Sequence, residues 1–312
     1  MLNGITNAAV IGAGTIGQSW VAAFLAAGLN VTASDPDPHA EKRLSDGVAT
    51  VWPDLVTLGL TTDSIEQGLA RLRFHTDPAA AVKGAQVVQE CAPEELSVKQ
   101  ALLAAIEPAL ASDALILSST SGIRPSDMQA EMAHPERLAV GHPCNPPHLV
   151  PLVEVVGGAA TPDDIITRAM AFYEGIGKQP IRLNKEMPGH VVNRLQSALW
   201  REAVNLANEG VASVADIDRA VTQALGVRWC FMGPNMVFHL AGGADGMAGF
   251  IDRLGPAFET WWDDLGTPRL DAATARTLID GMAVAAEGRS PAELAKARDA
   301  ALMRVLALNR QM

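Results

Sequence analysis

Six residues near the start, GAGTIG at 12–17, limit the fold of this chain more than any other stretch. A lone GxGxxG match is weak, so its surroundings matter. This one follows the apolar run Ala8–Ile11 and opens the helix-forming stretch 15–27. A second apolar run, Asn30–Ser34, then ends at Asp35, 18 residues after the last glycine. Strand, glycine turn, helix, and a second strand closed by an acid make the first βαβ unit of a dinucleotide-binding sheet. Gly12 allows the tight turn, Gly14 lets the backbone approach a pyrophosphate, and Gly17 lets helix and sheet pack closely. With Ala13, Thr15 and Ile16 they bring the N–H groups of a helix start to the phosphates. Asp35 would accept hydrogen bonds from the adenosine ribose and repel a 2′-phosphate. The following PDPHA (36–40) offers no Arg or Lys to bind one, so NAD is expected rather than NADP. The alternative is a set of glycines that serves only a tight turn.

Further apolar runs at 85–90, 114–119, 137–142 and 152–156 alternate with alanine-rich helical stretches such as 97–111, for which Ser97 is the expected N-cap. Alternation of this kind implies a parallel, doubly wound α/β sheet of the Rossmann type. From Pro188 the strand pattern stops, and 188–209, 213–225, 234–241, 247–263, 271–287 and 291–310 all read as helix. In the first of these, Val192, Leu195, Leu199, Ala203 and Leu206 follow the spacing of one buried face. The expected organisation is an NAD-binding α/β domain, 1–187, followed by an all-α domain, 188–312, that binds substrate and dimerises.

The 312 residues, 48% hydrophobic and 19% charged, are ample for two folded domains. A net charge of −11 disfavours nucleic acid or a phospholipid surface as partner, since both are polyanions. Cys91, Cys144 and Cys230 are odd in number and scattered, which disfavours disulfides and a zinc site; no metal is expected, and a reducing cytoplasm is the expected compartment. The first 34 residues are uncharged, yet they lack a basic start, and glycines interrupt them too often for a membrane span.

His142 and Glu154 stand twelve residues apart in GHPCNPPHLVPLVEVV (141–156). His142 ends one apolar run, where ligands collect in open α/β sheets. Glu154 interrupts the next, LVEVV, where a carboxylate needs a partner. The two read either as a base and the acid that orients it, or as a surface loop with a charge at a strand end.

Together with SSTSG (118–122) and PGHVVNRLQSALWREA (188–203), that stretch resembles the 3-hydroxyacyl-CoA dehydrogenase family over essentially the whole chain. The resemblance implies that His142 is the general base and Glu154 its orienting acid. It also implies that Ser121 and Asn193 hydrogen-bond the reacting oxygen, and that Glu94, Lys99 and Asn145 contact the cofactor. Local readings stand beside these: Ser121 as a cap, Asn193 as a polar residue at a helix start, Glu94 and Lys99 as a solvated pair. His39, His75, His134, His148, His190 and His239 are scattered and read as surface or packing residues, and Cys144 as a neighbour of the base.

WPDLVTLGL, ERLAVGHP, EVVGG, ALWREAVNLANEGVA and HLAGG resemble a branch of the family that oxidises free 3-hydroxy acids, L-carnitine first and L-gulonate second, rather than 3-hydroxybutyryl-CoA. Residues 36–70 hold only Lys42 and Arg43 as basic groups, few for gripping CoA phosphates. Trp229, Phe231, Phe238, Trp261 and Trp262 could face a trimethylammonium or anchor a core. Arg228 could meet a carboxylate or form a surface ion pair. Apolar faces left over in the helical half, and the resemblance, imply a homodimer. A reading from another class is an NAD-binding structural protein without catalysis, which the complete set Ser121, His142, Glu154 and Asn193 disfavours.

Overall fold

The computed structural model describes residues 4–309. Eight strands lie in one sheet: β1 (Asn7–Ile11), β2 (Asn30–Ser34), β3 (Leu72–His75), β4 (Val87–Glu90), β5 (Leu115–Ser118), β6 (Leu138–Pro143), β7 (Leu152–Gly157) and β8 (Gln179–Arg182). Their order is β3-β2-β1-β4-β5-β6-β7-β8. The chain crosses from β3 to the far side of β1, so β1 and β4 flank the switch point, where such sheets open a crevice for ligands. All neighbouring strands run parallel except β6 and β7, whose antiparallel pairing departs from the expected parallel sheet. The edge strands β3 and β8 escape the sequence pattern. Their residues are mostly half-buried or exposed, and edge strands need little apolar sequence.

Alternate residues of each central strand feed two cores, one on each face. Ala8 and Val10 of β1 face one, Ala9 and Ile11 the other, and Leu115 and Ile116 of β5 divide the same way. Helices α1 (Thr15–Ala26) and α2 (Ala40–Thr57) cover the first face, α3 (Leu96–Ile106) the second, and α4 (Asp163–Gly175) the first again. Each fully buried branched aliphatic contributes ~1.5–3 kcal/mol, so strand ends are where polar groups are tolerated. Ser97 does not cap α3: the helix starts at Leu96, and the Glu95 carbonyl, on extended backbone, already accepts the Lys99 N–H. The Ser97 hydroxyl donates to the Glu95 side chain instead.

Two compact units meet at Arg194 and Leu195, inside α5 (Val192–Asn208). The helix therefore begins at Val192, after a turn at Pro188, rather than at the proline itself. Its expected buried face is only partly covered in the single chain, with Val192, Ala203 and Leu206 half-buried. Leu195 is 61% exposed and Leu199 is exposed, while Val204 is the buried residue of the helix. Helices Val214–Ala220, Gly226–Trp229, Pro234–Ala241, Gly246–Asp264, Ala272–Ala285 and Pro291–Asn309, with a π-helical turn at Val221–Leu225, make up most of the second unit. Among the described residues no helix is long and apolar enough to cross a membrane.

Candidate active site

The glycine loop follows β1 directly. Gly12 has φ of +100°, and a Cβ there would overlap the Cys91 carbonyl; one at Gly17 would overlap the carbonyl of Gly12. These two glycines are explained by the chain's own packing. Gly14 is not, because a Cβ there would meet nothing within 4 Å. Open space at the start of α1, where no side chain caps the helix, fits a pyrophosphate held by the N–H groups of residues 14–17. Asp35 Oδ2 accepts the Ala13 N–H at 3.0 Å, which ties the acid at the end of β2 to this loop.

His142 and Glu154 are direct cross-strand partners in the antiparallel β6–β7 pair. Both project to the face occupied by Leu138, Val140 and Val156, since side chains two residues apart share a face. His142 Nδ1 lies 2.8 Å from Glu154 Oε2. Glu154 is 0% exposed, and its other oxygen accepts the Val191 and Val192 N–H groups at 2.7 and 3.0 Å, at the start of α5. Burial pushes its carboxyl up, but the hydrogen bonds from His142 and the two amides outweigh that and hold it below the ordinary glutamate value. An ionised carboxylate only accepts, so His142 places a proton on Nδ1, which leaves Nε2 as the nitrogen that can exchange a proton.

The strands around this pair are buttressed. Gly141 leaves room for Tyr173, whose hydroxyl donates to Gln89 at 2.7 Å; a Cβ at 141 would overlap that phenol. Burial raises the Tyr173 hydroxyl well above its ordinary value and keeps it a donor. Beyond its prolines, the 144–151 connector is held by hydrogen bonds. Lys178 donates to the Pro147 and Val150 carbonyls, and the His148 ring pairs with the Ser19 hydroxyl of α1 at 2.8 Å. Burial pushes the Cys144 thiol up to about 11, so it stays a neutral neighbour of His142. Asn145 is exposed.

After β5, Glu94 Oε1 accepts from the Thr120 hydroxyl and from the Ser121 and Gly122 N–H groups at 2.6, 2.8 and 3.0 Å. Asn193 Nδ2 donates to the Ser121 carbonyl at 3.1 Å, so these two expected residues meet. Lys99, expected on the cofactor, is 1% exposed. Its ammonium donates to both oxygens of Glu90 at 2.8 and 2.9 Å and to the Ala92 carbonyl at 3.1 Å, with Glu94 at 3.7 Å. Sequence reasoning passed over Glu90, although an acid ending a buried strand is the same signal that singled out Glu154. It also left His190 among the scattered histidines. The structure buries that ring 5.1 Å from the His142 ring, centre to centre. Among the described residues no group of three or more His, Cys, Asp or Glu could hold a metal ion.

Comparisons with known proteins point to one family. The model of the 3-hydroxyacyl-CoA dehydrogenase NAD-binding domain matches residues 7–187, and that of the 3-hydroxyacyl-CoA dehydrogenase C-terminal domain matches 189–275. L-carnitine dehydrogenase of Streptomyces coelicolor is 46% identical over 302 residues, 97% of this chain and 94% of its own. That of Pseudomonas aeruginosa is 44% identical over 307 residues, covering 98% and 95%. Among solved structures, the NAD⁺-dependent dismutase 5-formyl-3-hydroxy-2-methylpyridine 4-carboxylic acid 5-dehydrogenase superposes with a TM-score of 0.83 at 29% identity, covering 98% of both chains. The 3-hydroxybutyryl-CoA dehydrogenase of Escherichia coli superposes with a TM-score of 0.68 at 31% identity, covering 89% of this chain and 57% of its own.

Proposed function

This chain belongs to the 3-hydroxyacyl-CoA dehydrogenase family and is an NAD-dependent oxidoreductase, and from that premise we propose that it oxidises the 3-hydroxyl of L-carnitine to give 3-dehydrocarnitine. The observation that carries the chemistry is the 2.8 Å contact between His142 and a buried Glu154 whose second oxygen is taken by the start of α5. The carnitine assignment is supported by relatives 44–46% identical over nearly the full chain.

Bound NAD⁺ supplies the hydride acceptor. His142 Nε2 would take the proton from the hydroxyl oxygen while the hydride on the carbon bearing that oxygen passes to the cofactor, and Glu154 would stabilise the imidazolium through Nδ1–H. Ser121 and Asn193, joined through the Ser121 carbonyl, hydrogen-bond the reacting oxygen. Residues 12–17 would hold the pyrophosphate and Asp35 the ribose. Glu94 and Asn145 contact the cofactor, and we give buried Lys99 the task of holding Glu94 from behind. In the helical unit, Trp229, Phe231 and Trp262 keep exposed faces suited to a trimethylammonium. Phe238 instead stacks on Phe250 at 4.7 Å, whereas Trp261, like Trp262, meets Phe258 edge-on and is still exposed.

The test is NADH formation with L-carnitine, L-gulonate, 3-hydroxybutyrate and 3-hydroxybutyryl-CoA, repeated with NADP⁺. L-carnitine should give the highest kcat/KM, and NADP⁺ should be used at least tenfold less well. Preference for L-gulonate or the thioester would replace the substrate, equal use of NADP⁺ would remove the Asp35 role, and no turnover at all would favour a binding protein. We assign residues 1–187 to the cofactor and 188–312 to substrate binding and dimerisation. Exposed Leu195, Trp200, Ile279 and Val284 leave an apolar surface for a second copy to cover. Sedimentation should give about twice 32.8 kDa; a monomer at micromolar concentration would refute the dimer.

A further inference from the structure

His190 is a buried titratable group that the mechanism above leaves without a task. It is 0% exposed, lies just ahead of α5, and has φ of 50°, in the left-handed region that residues with a Cβ rarely adopt. Its Nε2 is 3.1 Å from the Thr120 carbonyl. A carbonyl only accepts, so Nε2 carries the proton and Nδ1 is a bare acceptor. That Nδ1 is buried and has no hydrogen-bond partner among the described residues. The ring rests against that of His142 with 41° between their planes. Burial lowers its pKa below the ordinary imidazole value; the Thr120 carbonyl acts against this, His142 adds to it, and Glu154 and Glu94 oppose it.

Packing alone does not call for a histidine here. Phenylalanine would fill a similar volume without burying a bare acceptor, which destabilises a fold. The polar ring does something a phenyl ring cannot: it ties Thr120, the residue before Ser121, to the turn whose next two amides hold Glu154. At the same time its side limits the swing of the His142 ring. We propose that His190 is a positioning residue for the base, a neutral imidazole whose hydrogen bond to Thr120 and contact with His142 lock Ser121, His142 and the start of α5 into one arrangement. This rests on the reading of His142 as base and Ser121 as its companion at the reacting oxygen.

Two variants separate the hydrogen bond from the packing. In H190Q the amide nitrogen reaches about where the imidazole Nε2 does and can donate to Thr120, whereas H190F keeps the ring and loses the donor. Both have a Cβ and share the same backbone strain. H190F removes the bare Nδ1 but leaves the buried Thr120 carbonyl without this donor, so it should melt near or slightly below the wild-type temperature, with kcat at least tenfold lower and KM for NAD⁺ unchanged. H190Q should recover most of that loss. Wild-type kcat in H190F, or losses in both variants that track their melting temperatures, would overturn the proposal. The ring-nitrogen shifts of wild-type His190 test it without turnover. They should report the neutral Nε2–H form at about pH 6.5, where an ordinary imidazole is half protonated. A half-protonated His190 at that pH overturns the proposal even in an active enzyme. Inactivity of the wild type on every 3-hydroxy acid, with a neutral His190, would instead overturn the reading of the reaction.

Discussion

Glu154→Gln should lower kcat by about 10²- to 10⁴-fold while leaving NAD⁺ affinity within about twofold, and the reason is a conflict over donors. The wild-type carboxylate accepts on both oxygens, from His142 Nδ1 and from the Val191 and Val192 amides. Glutamine has one acceptor and one donor end. Its oxygen must stay with the two backbone N–H groups, which no other acceptor is placed to satisfy, and its NH₂ then faces His142 Nδ1. That forces the imidazole proton onto Nε2, the nitrogen needed bare for the hydroxyl. Steady-state kinetics with L-carnitine, beside a direct NAD⁺ binding measurement, check this; a kcat within threefold of wild type would remove Glu154 from the mechanism.

The same variant carries a stability signature. The folded-state pKa of Glu154 is lowered, so its ionised form is favoured in the native protein. That contribution is present above the unfolded glutamate pKa, about 4.3, and is lost as pH falls through the folded value. Denaturant unfolding should therefore show wild type more stable than E154Q near neutrality, with the gap narrowing below about pH 4. A gap that is constant with pH would mean the charge has no part in holding the strands.

His142→Ala should remove about 10²- to 10⁴-fold of kcat, the range of a lost general base, with NAD⁺ still bound normally. None of the hydrogen bonds that shape the glycine loop involves His142, and Asp35 reaches that loop from β2. Loss of one partner from buried Glu154 should also cost about 1–3 kcal/mol of stability, limited because its two amide donors remain. Titrating NAD⁺ into the variant and comparing single-turnover rates separates binding from chemistry. A variant turning over L-carnitine within tenfold of wild type would mean that another group takes the proton.

Residues whose type answers a local demand were legible before any coordinates. The glycine loop is legible because turn geometry and close approach exclude a Cβ at Gly12 and Gly17, while Gly14 stands beside open space at a helix start. Glu154 is legible because an acid inside LVEVV needs a partner. The same logic would have found Glu90, which ends the buried strand β4 against Lys99. Ser97 misled because a Ser before a helical stretch looks like a cap, whereas the cap position is set by which carbonyl first receives a helical N–H. The α5 stripe misled because spacing marks a face as apolar without saying what covers it, and in one chain Leu195 is open.

The amino-acid sequence by itself determined the first βαβ unit, the dinucleotide chemistry, the change from alternating to all-helical structure, and which side chains were available as base and acid. Those follow from periodicity and backbone sterics, which act over a few residues. Only the tertiary structure decided that β7 runs antiparallel to β6, and so that residues 142 and 154 stand opposite each other rather than on separate strands pointing the same way. It also decided that the start of α5 meets the second oxygen of Glu154, and that His190 lies beside His142. Strand direction and register are set by hydrogen bonds between segments distant along the chain, and no local pattern encodes those partners.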